Sequence, residues 1–213
     1  MSNQKLVVFD FDGTVFKDFL LLDRYIITSI YEITPSIRFI EKYARMINDL
    51  DIVANNIGIL KFRLWLYYKL SSKIFKRKIS FKQILKKYEI LNTFFAQLEI
   101  RDMYDKYLSQ LENAGFVVKI ISNNLFNRFV YHEKVEMIQT QDKQKELEKL
   151  AQKYDIAYMV GNNFTDDILS AYYLKIKSIY VGKSKIFGLF KKLNLVDFTS
   201  VNLAYAIKII LQK

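Results

Sequence analysis

Asp10 and Asp12 stand one residue apart at the end of an apolar run, in the stretch VVFDFDGTVF from Val7 to Phe16. Taking an unpaired carboxylate out of water is costly. Two of them closing a segment that wants burial imply a metal or a reaction to serve. A carboxylate can attack phosphorus and give an aspartyl-phosphate. Two adjacent anions then require a divalent cation. Magnesium suits them, because it takes oxygen ligands, needs few carboxylates and bridges to a substrate phosphate. A hydroxyl and an ammonium would hold the non-bridging oxygens. A second carboxylate can protonate the leaving oxygen and later activate water.

These groups need elements to bring them together. Lys5 to Phe11 reads as a buried strand, short and closed by Asp-Gly. From about Asp18 to Ile90 apolar residues recur at helical spacing, which predicts three or four helices. Phe94 to Asn113 reads as a further helix, with Gly115 near its C-cap. Phe116 to Ile121 is a second buried strand, Lys143 to Tyr154 an amphipathic helix, and Ala157 to Val160 a third strand closed by Gly161. Asp167 to Leu174 is helical, Ser178 to Val181 is a fourth strand, and Ser200 is placed as the cap of a last helix, Asn202 to Leu211. A strand, a helical block and then alternating helices and strands predict a parallel α/β sheet with an insertion. The site of such a sheet lies beyond the carboxyl ends of its strands. Three strands end in polar groups that should converge: Asp10 and Asp12; Ser122 and Asn123; Asn162, Asn163, Asp166 and Asp167.

Four pieces in this order resemble the haloacid dehalogenase superfamily of phosphohydrolases. They are D-F-D-G-T at 10–14, Ser122 after FVVKII, Lys143 at the head of KQKELEKL, and G-N-N-F-T-D-D-I at 161–168. D-x-D-G-T after an apolar strand is a specific signal, and the other pieces in sequence strengthen it. The resemblance implies a Rossmann-like parallel core over residues 1–16 and 93–213, with an α-helical cap inserted at 17–92 as in the phosphoserine-phosphatase-like subgroup. It implies Asp10 as nucleophile and Mg²⁺ ligand, and Asp12 as general acid and base that also offers its backbone carbonyl to the metal. Ser122, with Asn123 and Lys143, would hold the phosphoryl group, and Lys143 would neutralise developing charge. Lys145 is close enough in the chain to compete for that role.

The fourth piece departs from the family pattern. There the glycine is usually followed by an acid, whereas Asn162 follows Gly161 here. An amide oxygen still ligates, but without charge. The frame G-x-x-x-x-x-D-I selects Asp167 as the acid on the metal side, with Asp166 as the alternate. Adjacent residues on a helix do not face the same way, so one of the two should be solvated. His132 is the single histidine, and with no cysteine present it makes no transition-metal site.

The 213 residues are 51% hydrophobic and 15% aromatic, enough for a substantial core. One proline, and no repeat or low-complexity stretch, argue against a linker or a disordered tail. The opening residues do not read as a signal peptide, and no stretch reaches the roughly 18 apolar residues of a transmembrane helix, so a cytoplasmic protein is expected. The net charge of +11 is concentrated. Residues 61–89 hold ten Lys and Arg against the single acid Glu89. The stretch KFRLWLYYKLSSKIFKRK mixes basic and bulky apolar residues. It reads either as a cap helix with a solvated lysine face or as a surface for anionic lipid headgroups, which would place the protein at the membrane periphery. No specific nucleic-acid motif is present. Two functional readings follow: a Mg²⁺-dependent phosphomonoester phosphatase whose cap selects a small, lipid or other anionic phosphate, or a degenerate member that binds an anionic partner with little catalysis.

Overall fold

The computed structural model describes residues 4–16, 80–124, 127, 129–182 and 194–213. The chain divides into two compact units, Met1–Lys17 with Ala96–Lys213, and Asp18–Phe95. The first contains a six-stranded, all-parallel sheet: β1 (Lys5–Asp10), β2 (Val117–Ser122), β3 (Glu136–Gln139), β4 (Asp155–Gly161), β5 (Ser178–Val181) and β6 (Phe198–Ser200). The strand order is β3-β2-β1-β4-β5-β6. Chain direction across the sheet therefore reverses at β1, and the carboxyl end of β1 lies at the crevice where doubly wound sheets place their ligands. In register, Asp10 stands opposite Ile121 of β2, and Phe9 opposite Val160 of β4.

The central strands are buried along nearly their whole length, as a sheet covered on both faces requires. Leu6 and Val8 pack in one cluster with Leu147 and Leu150 of α3 (Lys143–Ala151) and Ala171 of α4 (Ser170–Tyr173). The last helix, α5 (Leu203–Leu211), packs on β5 and β6. Its N-cap is Asn202, whose side chain accepts from the Tyr205 amide at 3.0 Å, and not the expected Ser200. Ser200 instead closes β6, with its hydroxyl donating to the Asn202 carbonyl at 2.6 Å.

Where a break was expected near residues 91–93, helix α1 (Phe81–Met103) runs through without one. It continues as a π turn, Tyr104–Leu108, into α2 (Ser109–Asn113). Asn92 is fully buried within it, so packing outweighs that residue's weak helix propensity. Ser80 and Gln83 form a capping box at the start of α1: the Gln83 amide donates to Ser80 Oγ, and the Ser80 amide donates to Gln83 Oε1. At the other end, Gly115 at φ +87° closes a Schellman turn, with Phe116 N donating to Leu111 O and Gly115 N to Glu112 O.

Strands β3 and β6 were not foreseen from the sequence. Both are edge strands of three or four residues, too short for alternation to register. The expected helices before residue 80 and most of the basic stretch lie outside the described residues. Within that stretch, Lys82, Lys86 and Lys87 are exposed, whereas Ile84 and Tyr88 on the same helix are buried. Among the described residues, no helix is long and apolar enough to cross a membrane.

Candidate active site

Strand β1 delivers Asp10 to the end of the sheet, where the chain turns sharply. The Phe11 carbonyl accepts from the amides of Val15 and Phe16 at 2.9 and 2.8 Å, and Gly13 N donates back to Phe16 O at 2.7 Å. Gly13 sits at φ +85°, a conformation that disfavours any side chain. A Cβ there would also lie 2.1 Å from Nδ2 of Asn162. The Asp-Gly-Thr sequence is thus the turn chemistry this loop needs. Thr14 is buried and turns back, its hydroxyl 3.3 Å from Asp10 Oδ2 and 3.5 Å from Asn162 Oδ1.

Lys143 opens α3, whose N-cap Asp142 accepts from the Lys145 amide at 3.0 Å. That geometry turns Lys143 inward while Lys145 stays exposed. The Lys143 ammonium donates to Asp10 Oδ1 at 2.5 Å and to Asp167 Oδ1 at 2.6 Å. All three side chains are buried, Asp167 completely. Gly161 allows this arrangement, since a Cβ on it would meet Asp167 Oδ2 at 2.1 Å. Asp167 Oδ2 also accepts from the Asn163 amide at 2.9 Å. Its neighbour Asp166 is half-buried and faces elsewhere, accepting from Asn163 Nδ2 and Asn123 Nδ2 at 3.1 and 3.2 Å.

Asp12 is held from the other side by residues at and beyond the end of β2. Its Oδ2 accepts from the Ser122 hydroxyl at 3.1 Å and from Asn127 Nδ2 at 2.7 Å, and its Oδ1 accepts from Asn124 Nδ2 at 3.3 Å. The structure therefore brings Asp10, Lys143 and Asp167 into one group, and Asp12 and Ser122 into a second. Asn162 lies against Gly13 and Thr14. Asn123 is exposed and directs its amide to Asp166. Sequence reasoning assigned no role to Thr14, Asn124 or Asn127. The two asparagines fall in the stretch 124–139, where no periodicity marks them. The lone His132 packs against Tyr104, with ring centroids 4.3 Å apart and the rings tilted by 34°.

Two carboxylates share one ammonium here, with Asp12 close by. Burial, reinforced by Asp167, pushes Asp10 well above the usual carboxylate range even against Lys143. Burial raises Asp12 as well, and the bonds from Asn124 and Ser122 restrain the rise. Burial alone would lower Lys143, but the carboxylates of Asp10 and Asp167 outweigh it and lift its proton affinity far above that of a free lysine. Among the described residues, no three acidic, histidine or cysteine side chains form a ready-made metal cage. The donor set is nonetheless oxygen-rich and short of positive charge. Magnesium, which takes one or two carboxylates and fills its shell with water and phosphate oxygens, suits the oxygens of Asp10, Asp167 and the nearby Asn162 amide better than a cation needing an all-protein cage.

No family model and no curated protein matches the sequence. Solved structures do match in three dimensions. The candidate HAD-hydrolase YfnB from Bacillus subtilis, in a magnesium-bound crystal form, is 12% identical with a TM-score of 0.61, covering 99% of this chain and 100% of its own. A candidate phosphatase from Clostridium difficile is 17% identical with a TM-score of 0.54, over 99% of this chain and 100% of its own. An apo phosphoserine phosphatase is 15% identical with a TM-score of 0.53, over 98% of each chain. With its parallel sheet in the order 3-2-1-4-5-6, the chain has the fold of the haloacid dehalogenase (HAD) superfamily.

Proposed function

We propose that the chain is a Mg²⁺-dependent phosphomonoester phosphatase working through an aspartyl-phosphate on Asp10. The observation that carries this reading is the buried Asp10–Lys143–Asp167 group, with Asp12 at the same sheet end. A structural ion pair needs one carboxylate per ammonium. With Asp10 ionised this group holds more negative charge than it neutralises, which is what a cation-assisted phosphoryl site requires.

In the first half-reaction an Asp10 carboxylate oxygen bonds to phosphorus as the bond from phosphorus to the leaving oxygen breaks. The electron pair of that bond stays on the leaving oxygen, which takes a proton from the Asp12 carboxyl. In the second, a water oxygen bonds to phosphorus while Asp12, now a carboxylate, removes a proton from it. The Asp10–phosphorus bond breaks, and phosphate and free Asp10 are released. Burial raises Asp12 toward the range where one group can act as acid and then base. The Lys143 ammonium is a donor for the non-bridging oxygens, and the Ser122 hydroxyl becomes one by turning from Asp12 Oδ2 to the bound phosphate. Magnesium, when bound, supplies neutralisation of the transferring group's charge.

The test is turnover of an aryl phosphate with Mg²⁺ by the wild type and by Asp10→Asn. The variant should lose about a thousandfold or more, since the covalent route is gone. Unchanged turnover by the variant would end this mechanism. The neutral Asn162 favours a second reading, a binding protein with little catalysis, which the same assay decides if the wild type turns over no ester.

A further inference from the structure

Asn127 lies in the loop after β2 and is almost completely buried. Its backbone is fixed by two turns: its amide donates to Asn124 O at 2.9 Å, and its carbonyl accepts from Val130 N at 3.0 Å. A buried asparagine commonly satisfies its amide on nearby backbone, as a turn or cap. This one donates from Nδ2 to Asp12 Oδ2 at 2.7 Å and to Ser122 Oγ at 3.1 Å. One –NH₂ group thereby spans two side chains from different strand ends, both placed in the phosphoryl chemistry above.

The consequence is geometric. Asp12 Oδ2 accepts from both Asn127 and Ser122, whereas Oδ1 accepts the longer bond from the half-exposed Asn124. An oxygen already facing two donors has little room for a proton of its own. We infer that Asn127 is a positioning residue: it anchors Asp12 through Oδ2 and Ser122 through Oγ, so that Asp12 Oδ1 is the oxygen presented to the leaving group. This inference rests on the phosphatase reading and adds to it the residue that fixes the acid relative to the phosphate donor. A misplacement of about 1 Å at such a group can cost on the order of a hundredfold in rate.

Asn127→Leu keeps the γ-branched shape and removes both donors, and Asn127→Ala serves if the larger leucine fails to fold. Turnover of an alkyl phosphate and of nitrophenyl phosphate is measured for the wild type, Asp10→Asn, Asp12→Asn, Asn127→Leu and the double variant Asp12→Asn/Asn127→Leu. Nitrophenolate leaves without a proton, so a lost acid shows on the alkyl ester. The expected result is a loss of about 10- to 100-fold for Asn127→Leu on the alkyl ester, a clearly smaller loss on the aryl ester from the freed Ser122, and in the Asp12→Asn background a further loss no larger than that aryl one. Equal losses on both esters, or a full additional loss in that background, with Asp10→Asn inactive, would overturn the role of Asn127 and leave the phosphatase reading intact. An active Asp10→Asn variant, or a wild type that turns over neither ester, would overturn both.

Discussion

The Nζ of Lys143 lies 2.5 Å from Oδ1 of Asp10, across 133 positions of sequence and almost wholly out of solvent. The same ammonium holds Asp167, so removing it would leave two buried carboxylates facing each other without a counter-charge. Loss of one partner from a buried ionic group typically costs about 3–5 kcal/mol. Lys143→Met should therefore be destabilised by about that much at pH 7 and by less at pH 5, where Asp10, raised by burial, can take up a proton. Denaturant unfolding at the two pH values checks this. A loss under about 1 kcal/mol at both, the size of an exposed pair, would show that the group is not buried as described.

The Asp10 shift carries its own pH signature. Asp10 is raised above its ordinary 3.8, first by burial and then by Asp167. The folded chain therefore binds this proton more tightly than the unfolded chain. Where the native state holds more protons than the unfolded one, stability falls as pH rises. That fall begins near the ordinary value and ends above the raised one. Asp10→Asn has no such proton, so in metal-free buffer the variant should gain on the wild type as pH climbs from about 4. Melting temperatures of the pair across pH 4–8 measure it. A constant difference between them would mean Asp10 titrates normally.

Much of the core could be read from the chain because its signals are local. Leu6 to Phe9 is a continuous apolar run, and D-F-D-G-T holds two carboxylates and a turn within five residues. The motif frame selects Lys143 over Lys145 and Asp167 over Asp166 from the sequence itself; what local sequence does not carry is that Lys143 and Asp167 meet in one buried group with Asp10 while Lys145 and Asp166 face other ways. Asn127 was silent for a stronger reason. Its partner Asp12 is 115 positions away, and an asparagine after a strand looks like any loop residue. Ser200 and Asn202 are both competent caps, and local sequence cannot tell which one the β6 edge claims first.

Gly13 and Gly115 provide a matched comparison. Both have positive φ, at +85° and +87°. A Cβ on Gly115 meets nothing within 4 Å, whereas one on Gly13 meets Asn162 Nδ2 at 2.1 Å. Gly115→Ala should cost only the left-handed backbone, about 1–2 kcal/mol. Gly13→Ala should cost that and displace Asn162 as well, with activity falling further than stability. Melting and turnover of the two variants compare the effects. Equal behaviour would mean that the contact between Gly13 and Asn162 has no bearing on the site.

Asn162 tests the metal directly. Its Oδ1 sits 3.5 Å from the Thr14 hydroxyl that also reaches Asp10, so a charge placed there falls within the acidic group. Asn162→Asp adds a fourth carboxylate to Asp10, Asp12 and Asp167, with Lys143 unchanged. Without metal the variant should be less stable than the wild type, because like charges are crowded in a buried place. With Mg²⁺ the order should narrow or reverse, since a hard divalent cation gains from a charged oxygen ligand and a ligand that binds only the native state stabilises it by mass action. The affinity should tighten by about tenfold, read by titration calorimetry in the absence of substrate. The opposite signs of the two effects separate them from a general loss of packing, which would lower the melting temperature with and without the ion alike. An unchanged Mg²⁺ affinity would remove Asn162 from the ligand set and leave it as the side chain that packs over Gly13.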